Sequence, residues 1–153
     1  MYVDESGVNT CLQREHGRAP RGEVVEDTVR GSKFERTNVI GAKCDGRHLA
    51  VECYKHTTDS AFIENWFANS LLEVLPAGEG YTVIMDNASF HRKKELRKLA
   101  RGKVRLLFLP PYSPDYNPIE KTWANLKRFL RDGIKQFESV TKGIYGYFGI
   151  TVT

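Results

Sequence analysis

Two acids stand where a strand or a helix would hold them rigid, and an adjacent pair offers a third. Asp86 follows the β-rich run Tyr81–Met85 and precedes Asn87-Ala88-Ser89-Phe90-His91. In open α/β sheets the carboxyl ends of strands are where ligands bind. Taken alone, Asp-Asn is also ordinary turn chemistry. Glu120 stands in Asn117-Pro118-Ile119-Glu120. Asn caps helices, Pro suits the first helical position, and a Glu three residues after the cap completes a capping box. A first-turn Glu is therefore explained structurally, and it is also fixed in a way that suits a metal ligand. Asp4 ends the first strand-like run and is followed by Glu5; by the two-residue period of a strand the two point to opposite faces. Periodicity does not choose between them.

The elements needed to position these acids are legible in outline. Residues 1–4 read as the end of a strand that starts abruptly, and residues 8–37 as an extended loop or loose hairpin. Val39–Lys43 and His48–Tyr54 flank Cys44-Asp45-Gly46-Arg47, a hairpin signal. Phe62, Trp66, Leu71 and Leu72 predict an amphipathic helix over Thr58–Leu75, capped by Asp59 and ended by Pro76 and Gly78. Lys93–Ala100 is a short basic helix, and Val104–Leu109 a strand stopped by Pro110-Pro111. The proline-rich run 110–118 is a stiff loop. A helix over Pro118–Arg131 buries Ile119, Trp123, Leu126 and Leu130, with Trp123 read as core. A weaker helix spans Phe137–Phe148, with Gly143 and Gly146 against it. An early hairpin followed by alternating strands and helices implies a mixed sheet with helices on both faces.

At 153 residues, with 41% hydrophobic and 27% charged content, the chain fits one globular domain. No apolar run approaches the roughly 20 residues of a membrane span. The N-terminus lacks a signal-peptide pattern, so a cytoplasmic protein is expected, nucleoid-associated when bound to DNA. Cys11, Cys44 and Cys53 lack zinc half-site spacing and are read as reduced thiols. The net charge of +4 permits an acidic partner, and clustered Lys and Arg give it places to bind.

Several motifs together resemble the DDE transposases of the IS630/Tc1-mariner superfamily. These are Asp4-Glu5-Ser6, His16-Gly17-Arg18-Ala19-Pro20-Arg21-Gly22, Met85-Asp86-Asn87 with His91, and the run from Leu109 to Glu120, Leu-Pro-Pro-Tyr-Ser-Pro-Asp-Tyr-Asn-Pro-Ile-Glu. They occur in the family's order across roughly residues 2–135, and 33 residues separate Asp86 from Glu120. The resemblance implies an RNase H-like fold with a mixed five-stranded sheet. Its first acid lies on the first strand, its second at the end of the neighbouring fourth strand, and its third on a later helix. Carried over, the catalytic and metal-binding acids are Asp4, Asp86 and Glu120, which selects Asp4 over Glu5.

Three clustered carboxylates suit two Mg²⁺ ions, or Mn²⁺ in their place. Such a pair activates the nucleophile and stabilises the leaving oxygen of an in-line phosphoryl transfer. Asn87, His91 and Asn117 are candidates for orienting the acids. Arg18, Arg21, Lys121, Lys127 and Arg128 are candidates for DNA phosphate contacts. The expected activity is DNA cleavage at transposon ends followed by strand transfer into target DNA, carried out by a homodimer or higher assembly on DNA. The chain starts three residues before Asp4, so the family's helix-turn-helix modules are expected to be absent and residues 1–153 to form a single catalytic domain. Two alternatives are an inactive remnant that binds DNA non-specifically and a stand-alone RNase H-like nuclease.

Overall fold

The computed structural model describes residues 1–9, 36–76, 80–110, 116–133 and 136–151. Five strands form one sheet: β1 (Tyr2–Asn9), β2 (Arg36–Cys44), β3 (Arg47–Tyr54), β4 (Thr82–Met85) and β5 (Arg105–Phe108). Their order across the sheet is β3-β2-β1-β4-β5. The first three pair antiparallel, whereas β4 runs parallel to both β1 and β5. This is the mixed five-stranded sheet expected from the sequence.

The strands form for the reasons read from the sequence, except at β1. Asp45 and Gly46 both adopt positive φ, 47° and 80°, as a tight turn between β2 and β3 requires. β1, by contrast, continues past Asp4 through Glu5, Ser6, Gly7, Val8 and Asn9. All eight of its residues pair with β2, from Tyr2 opposite Lys43 to Asn9 opposite Arg36. Asp4 therefore lies inside a strand rather than at its end. The polar run Glu5-Ser6-Gly7 hides the strand from a hydrophobicity reading, and only its partner reveals it. Of the stretch read as irregular over 8–37, Val8, Asn9, Arg36 and Thr37 lie in strands, and residues 10–35 lie outside the described residues.

Strand alternation divides the core in two. On one face Val3, Ile40, Ala42, Val83 and Met85 pack under helix α1 (Ser60–Trp66), its continuation, and α2 (Lys93–Ala100). On the other, Val8 and Val39 pack under α3 (Glu120–Gly133) and α4 (Val140–Tyr147). Helices thus cover both faces. Asp59 Oδ1 accepts from the Phe62 amide at 2.8 Å, so the predicted cap is present. Beyond Trp66 the helix widens into a π-helical turn, Phe67–Leu71, and tightens into a 3₁₀ turn, Leu72–Val74. The β2–β3 register shifts between Ile40 and Ala42, near Ala50, whose φ is 50°. The Ala50 carbonyl accepts from Trp66 Nε1 at 2.8 Å, tying the irregularity to the helix above it.

Candidate active site

Asp4 is the third residue of β1 and is 9% exposed. Its neighbour across the sheet is Gly41. The Trp123 ring of α3 lies over this pair; a Cβ on Gly41 would meet Trp123 Cη2 in ordinary contact at 3.6 Å and Val51 Cγ2 more tightly at 3.3 Å. From that position Trp123 Nε1 donates to Asp4 Oδ2 at 2.9 Å. Burial, then the negative charges of Glu5 and Glu120, push the Asp4 carboxyl up to about 7, against the pull of the indole N–H and the Glu5 backbone amide. A carboxyl so placed is stabilised by an added cation.

Asp86 is the first residue after β4. Tyr2 pairs with Ile84 in the parallel β1–β4 ladder, so the same register continued two residues brings Asp86 level with Asp4. Both acids line one cleft of about 290 Å³, together with Glu5, Ser6, Gly7 and Arg36. Asp86 Oδ1 accepts from the Ala88 amide at 3.2 Å and stands 2.9 Å from His91 Nδ1. On its other side, His91 Nε2 stands 3.2 Å from Glu5 Oε1. Both ring nitrogens thus face carboxylates, which only accept, so the ring must donate at both and carry a charge. Burial opposes that charge, but the hydrogen bonds and charges of Asp86 and Glu5 outweigh it and raise His91 to about 10. The hydrogen bond from His91 in turn lowers the Asp86 carboxyl, against the effect of burial.

Glu120 is the first residue of α3, exposed, and near enough to Asp4 to raise its pKa. It stands outside the cleft lining shared by Asp4 and Asp86. Among the described residues, no three His, Cys, Asp or Glu side chains are close enough together to hold one metal ion. The carboxylate oxygens of this group are nevertheless the hard donors that Mg²⁺ or Mn²⁺ takes, and an added cation would offset both the burial and the neighbouring charges of Glu5 and Glu120 that raise the Asp4 carboxyl.

The remaining candidates fall out unevenly. His91 is buried and bridges Asp86 to Glu5. Asn87 is exposed on the loop after Asp86. Asn117 is buried, but its Oδ1 has no hydrogen-bond partner, so its side chain does not cap α3 as expected. Instead its backbone carbonyl accepts from the Glu120 amide at 3.1 Å, and the helix begins two residues later than Pro118. A tight turn at Pro118-Ile119 makes the connection that the capping box was expected to make. Lys121 and Arg128 are exposed on α3, and Lys127 is half-buried. Arg18, Arg21, Cys11 and residues 111–115 of the proline-rich run lie outside the described residues.

Two contributors were missed. Glu5 was set aside in favour of Asp4, yet it completes the Glu5–His91–Asp86 bridge from the opposite face of β1. Trp123 was read as core, and it is core, at 3% exposed; its N–H also fixes Asp4. A buried Trp needs an acceptor for its N–H, which is the signal that could have led from Trp123 to a buried carboxylate.

Comparison with known proteins agrees with this architecture. The family model of the DDE superfamily endonucleases matches residues 1–141. A protein of Sinorhizobium fredii, y4pE/y4sA, is 36% identical over 55 residues, which are 36% of each chain. The Mos1 transposase in a paired-end complex with the left transposon end superposes with a TM-score of 0.66 at 16% identity. That match covers 97% of this chain and 50% of the Mos1 chain. A simian T-cell lymphotropic virus intasome superposes with a TM-score of 0.57 at 15% identity, covering 90% of this chain and 54% of that one. The chain thus spans about half the length of these solved relatives. The likenesses bear out the RNase H-like fold, and the family match bears out the DDE part of the resemblance. The chain belongs to the DDE superfamily of endonucleases.

Proposed function

We propose that this chain is the catalytic domain of a transposase that cleaves DNA at transposon ends and transfers the freed strand into target DNA. Asp4, Asp86 and Glu120 are its metal-binding acids. The observation that carries the reading is the placement of Asp4, within β1, and Asp86, directly after the adjoining parallel strand β4; both open on one cleft, with the charge of Glu120 felt at Asp4. When bound, two divalent cations would supply an activated water and charge compensation for the leaving oxygen.

The protein's own part is positioning. Trp123 holds one Asp4 oxygen from α3. The Ala88 amide and the charged His91 ring hold Asp86 from the loop after β4. Glu120, at a helix start, brings its carboxylate from a third element. Rigid strands and helix ends of this kind keep reacting groups in register, and positioning of this sort together with electrostatic stabilisation accounts for phosphoryl-transfer catalysis. DNA is the proposed partner, with assembly on DNA supported by the complexes in which the similar Mos1 chains occur.

The test is cleavage of a transposon-end duplex in Mg²⁺ or Mn²⁺. Asp4→Asn, Asp86→Asn and Glu120→Gln are each expected to abolish it while keeping the wild-type circular dichroism spectrum. Strand-transfer products distinguish a transposase from a nuclease of the same fold. Undiminished cleavage by Asp86→Asn would overturn the assignment.

A further inference from the structure

A second cleft adjoins the acidic one. It has a volume of about 350 Å³ and is lined by Arg36, Asn38, Lys55, His56, Thr57, Thr58 and Phe90. Arg36, Asn38, Thr58 and Phe90 line both clefts. The two differ in charge. Asp4, Glu5 and Asp86 line the first, whereas the described lining of the second carries Arg36 and Lys55 and no carboxylate.

Arg36 sits at the boundary, and its guanidinium is seated. Its Nε donates to Asn38 Oδ1 at 3.0 Å, and Asn38 Nδ2 donates to the His56 carbonyl at 2.9 Å. The guanidinium lies across Gly7 of β1, where a Cβ would fall 2.6 Å from Nη2 and 2.7 Å from Nε. Only a residue without a side chain leaves that seat open. With Nε committed to Asn38, the two terminal NH₂ groups carry the remaining donors.

We propose that the Arg36–Lys55 cleft is a phosphate-binding track that leads the DNA backbone to the acidic cleft. The inference rests on the endonuclease reading above and adds the route by which the substrate approaches. A polyanion is repelled by clustered carboxylates, so a cation fixed at their rim supplies the opposing field. An arginine held in one geometry is suited to a phosphate, which it meets through two parallel N–H donors. Thr57, in the same lining, adds a hydroxyl as a neutral donor, whereas that of Thr58 is shared with the Tyr54 hydroxyl at 2.7 Å.

The experiment titrates this chain with a fluorescent duplex oligonucleotide in chelator, so that binding is read without catalysis. Arg36→Gln is expected to weaken binding about tenfold. It should also lower the log–log salt slope by about 0.9, the value for one phosphate contact. Lys55→Gln should lower the slope by a similar amount. Gly7→Ala keeps every charge but fills the seat, and it too should weaken binding if the position of the guanidinium matters. Lys121→Gln and Arg128→Gln, on the opposite face of the sheet, serve as the comparison. Lost affinity and slope in those two, with Arg36→Gln and Lys55→Gln unchanged, would overturn the track. If the wild type cleaves DNA while Arg36→Gln keeps full affinity and slope, this inference falls and the endonuclease reading stands. If the wild type neither binds nor cleaves DNA, both fall.

Discussion

The indole nitrogen of Trp123 and the Asp4 carboxylate, 119 positions apart in sequence, meet at 2.9 Å in the buried layer between β1 and α3. The bond couples the packing of a helix to the orientation of an acid. α3 cannot shift along the sheet without moving the donor, and Asp4 cannot rotate without losing it. Glu120 stands three residues before Trp123 on the same helix, so the contact also sets where that second acid stands.

Removing this donor should therefore cost more than packing alone. Trp123→Phe keeps an aromatic ring but leaves a buried carboxylate oxygen without its partner, a loss of about 1–3 kcal/mol. The indole N–H favours the ionised form of Asp4. The penalty should thus be larger at pH 8, where Asp4 is ionised, than at pH 5, where it is protonated. Urea unfolding at the two pH values measures the difference. Equal penalties would mean that the hydrogen bond contributes nothing specific.

Asp4 also predicts the pH dependence of the metal-free protein. Its carboxyl titrates at about 7 in the folded chain and near 3.8 when unfolded. Between these values the folded state holds the extra proton, so stability falls as pH rises from about 4 to 7 and levels above that. Asp4→Asn keeps an acceptor for Trp123 and should lack this decline, melting higher than the wild type at pH 8 in chelator. Adding Mg²⁺ or Mn²⁺ should raise the wild-type melting temperature, by the equivalent of about 2.7 kcal/mol at 100 times the dissociation constant. An Asp4→Ala/Asp86→Ala double variant should not respond. Equal metal-induced shifts in both proteins would place the ions elsewhere.

His91 sets the alkaline limit. Its ring titrates at about 10 in the fold against 6.5 unfolded. The stability it contributes is complete below about 6.5 and is lost as pH rises toward 10. His91→Gln should flatten that limb, and Glu5→Gln should move it to lower pH by removing one of the two carboxylates that hold the charge. Thermal melts from pH 6 to 10 report both. An alkaline limb unchanged in His91→Gln would show that another group sets it.

Gly143 predicts a packing cost remote from the acids. A Cβ on it would fall 2.6 Å from Leu130 Cδ2 and 3.3 Å from Phe137 Cδ2. Gly143→Ala improves helix propensity yet overpacks the α3–α4 contact, and it should destabilise by about 1–3 kcal/mol. A stabilised variant would mean that Leu130 moves aside at no cost.

Local chemistry was legible where it dictated local structure. Asp45-Gly46 made its turn, Asp59 capped its helix, and the apolar run ending at Met85 delivered Asp86 to the end of a strand. Long-range pairing was not legible. Glu5-Ser6-Gly7 becomes strand because β2 lies beside it, and no pattern within three polar residues announces that. Asn117 satisfied every sequence rule for a cap, yet its Oδ1 is buried and accepts from none of the helix amides. Gly143 and Gly146 looked like flaws in α4. They are instead where it meets Leu130 and Phe137, a requirement set by neighbours rather than by the helix itself. Asp4 could be chosen over Glu5 only through the family resemblance, because both lie on one strand and its period offers either face.

The widened turn at Phe67–Leu71 has a consequence for insertions and deletions. Ahead of it, Ile63, Trp66 and Phe67 are buried at the spacing of a regular helix. Continued regularly, the next inward positions would be 70 and 71; here they are Leu71 and Leu72, while Ser70 reaches Glu52 Oε2 at 3.3 Å. One residue has in effect been added to an α-helical frame and absorbed as a bulge. Deleting Asn69 would close the bulge and leave the same apolar side chains facing the sheet. Deleting a residue from α1 itself would rotate Ile63 or Trp66 away from it. Relatives one residue shorter here can therefore keep the whole core, so a single-residue gap in an alignment belongs at 67–71 and nowhere else along this helix.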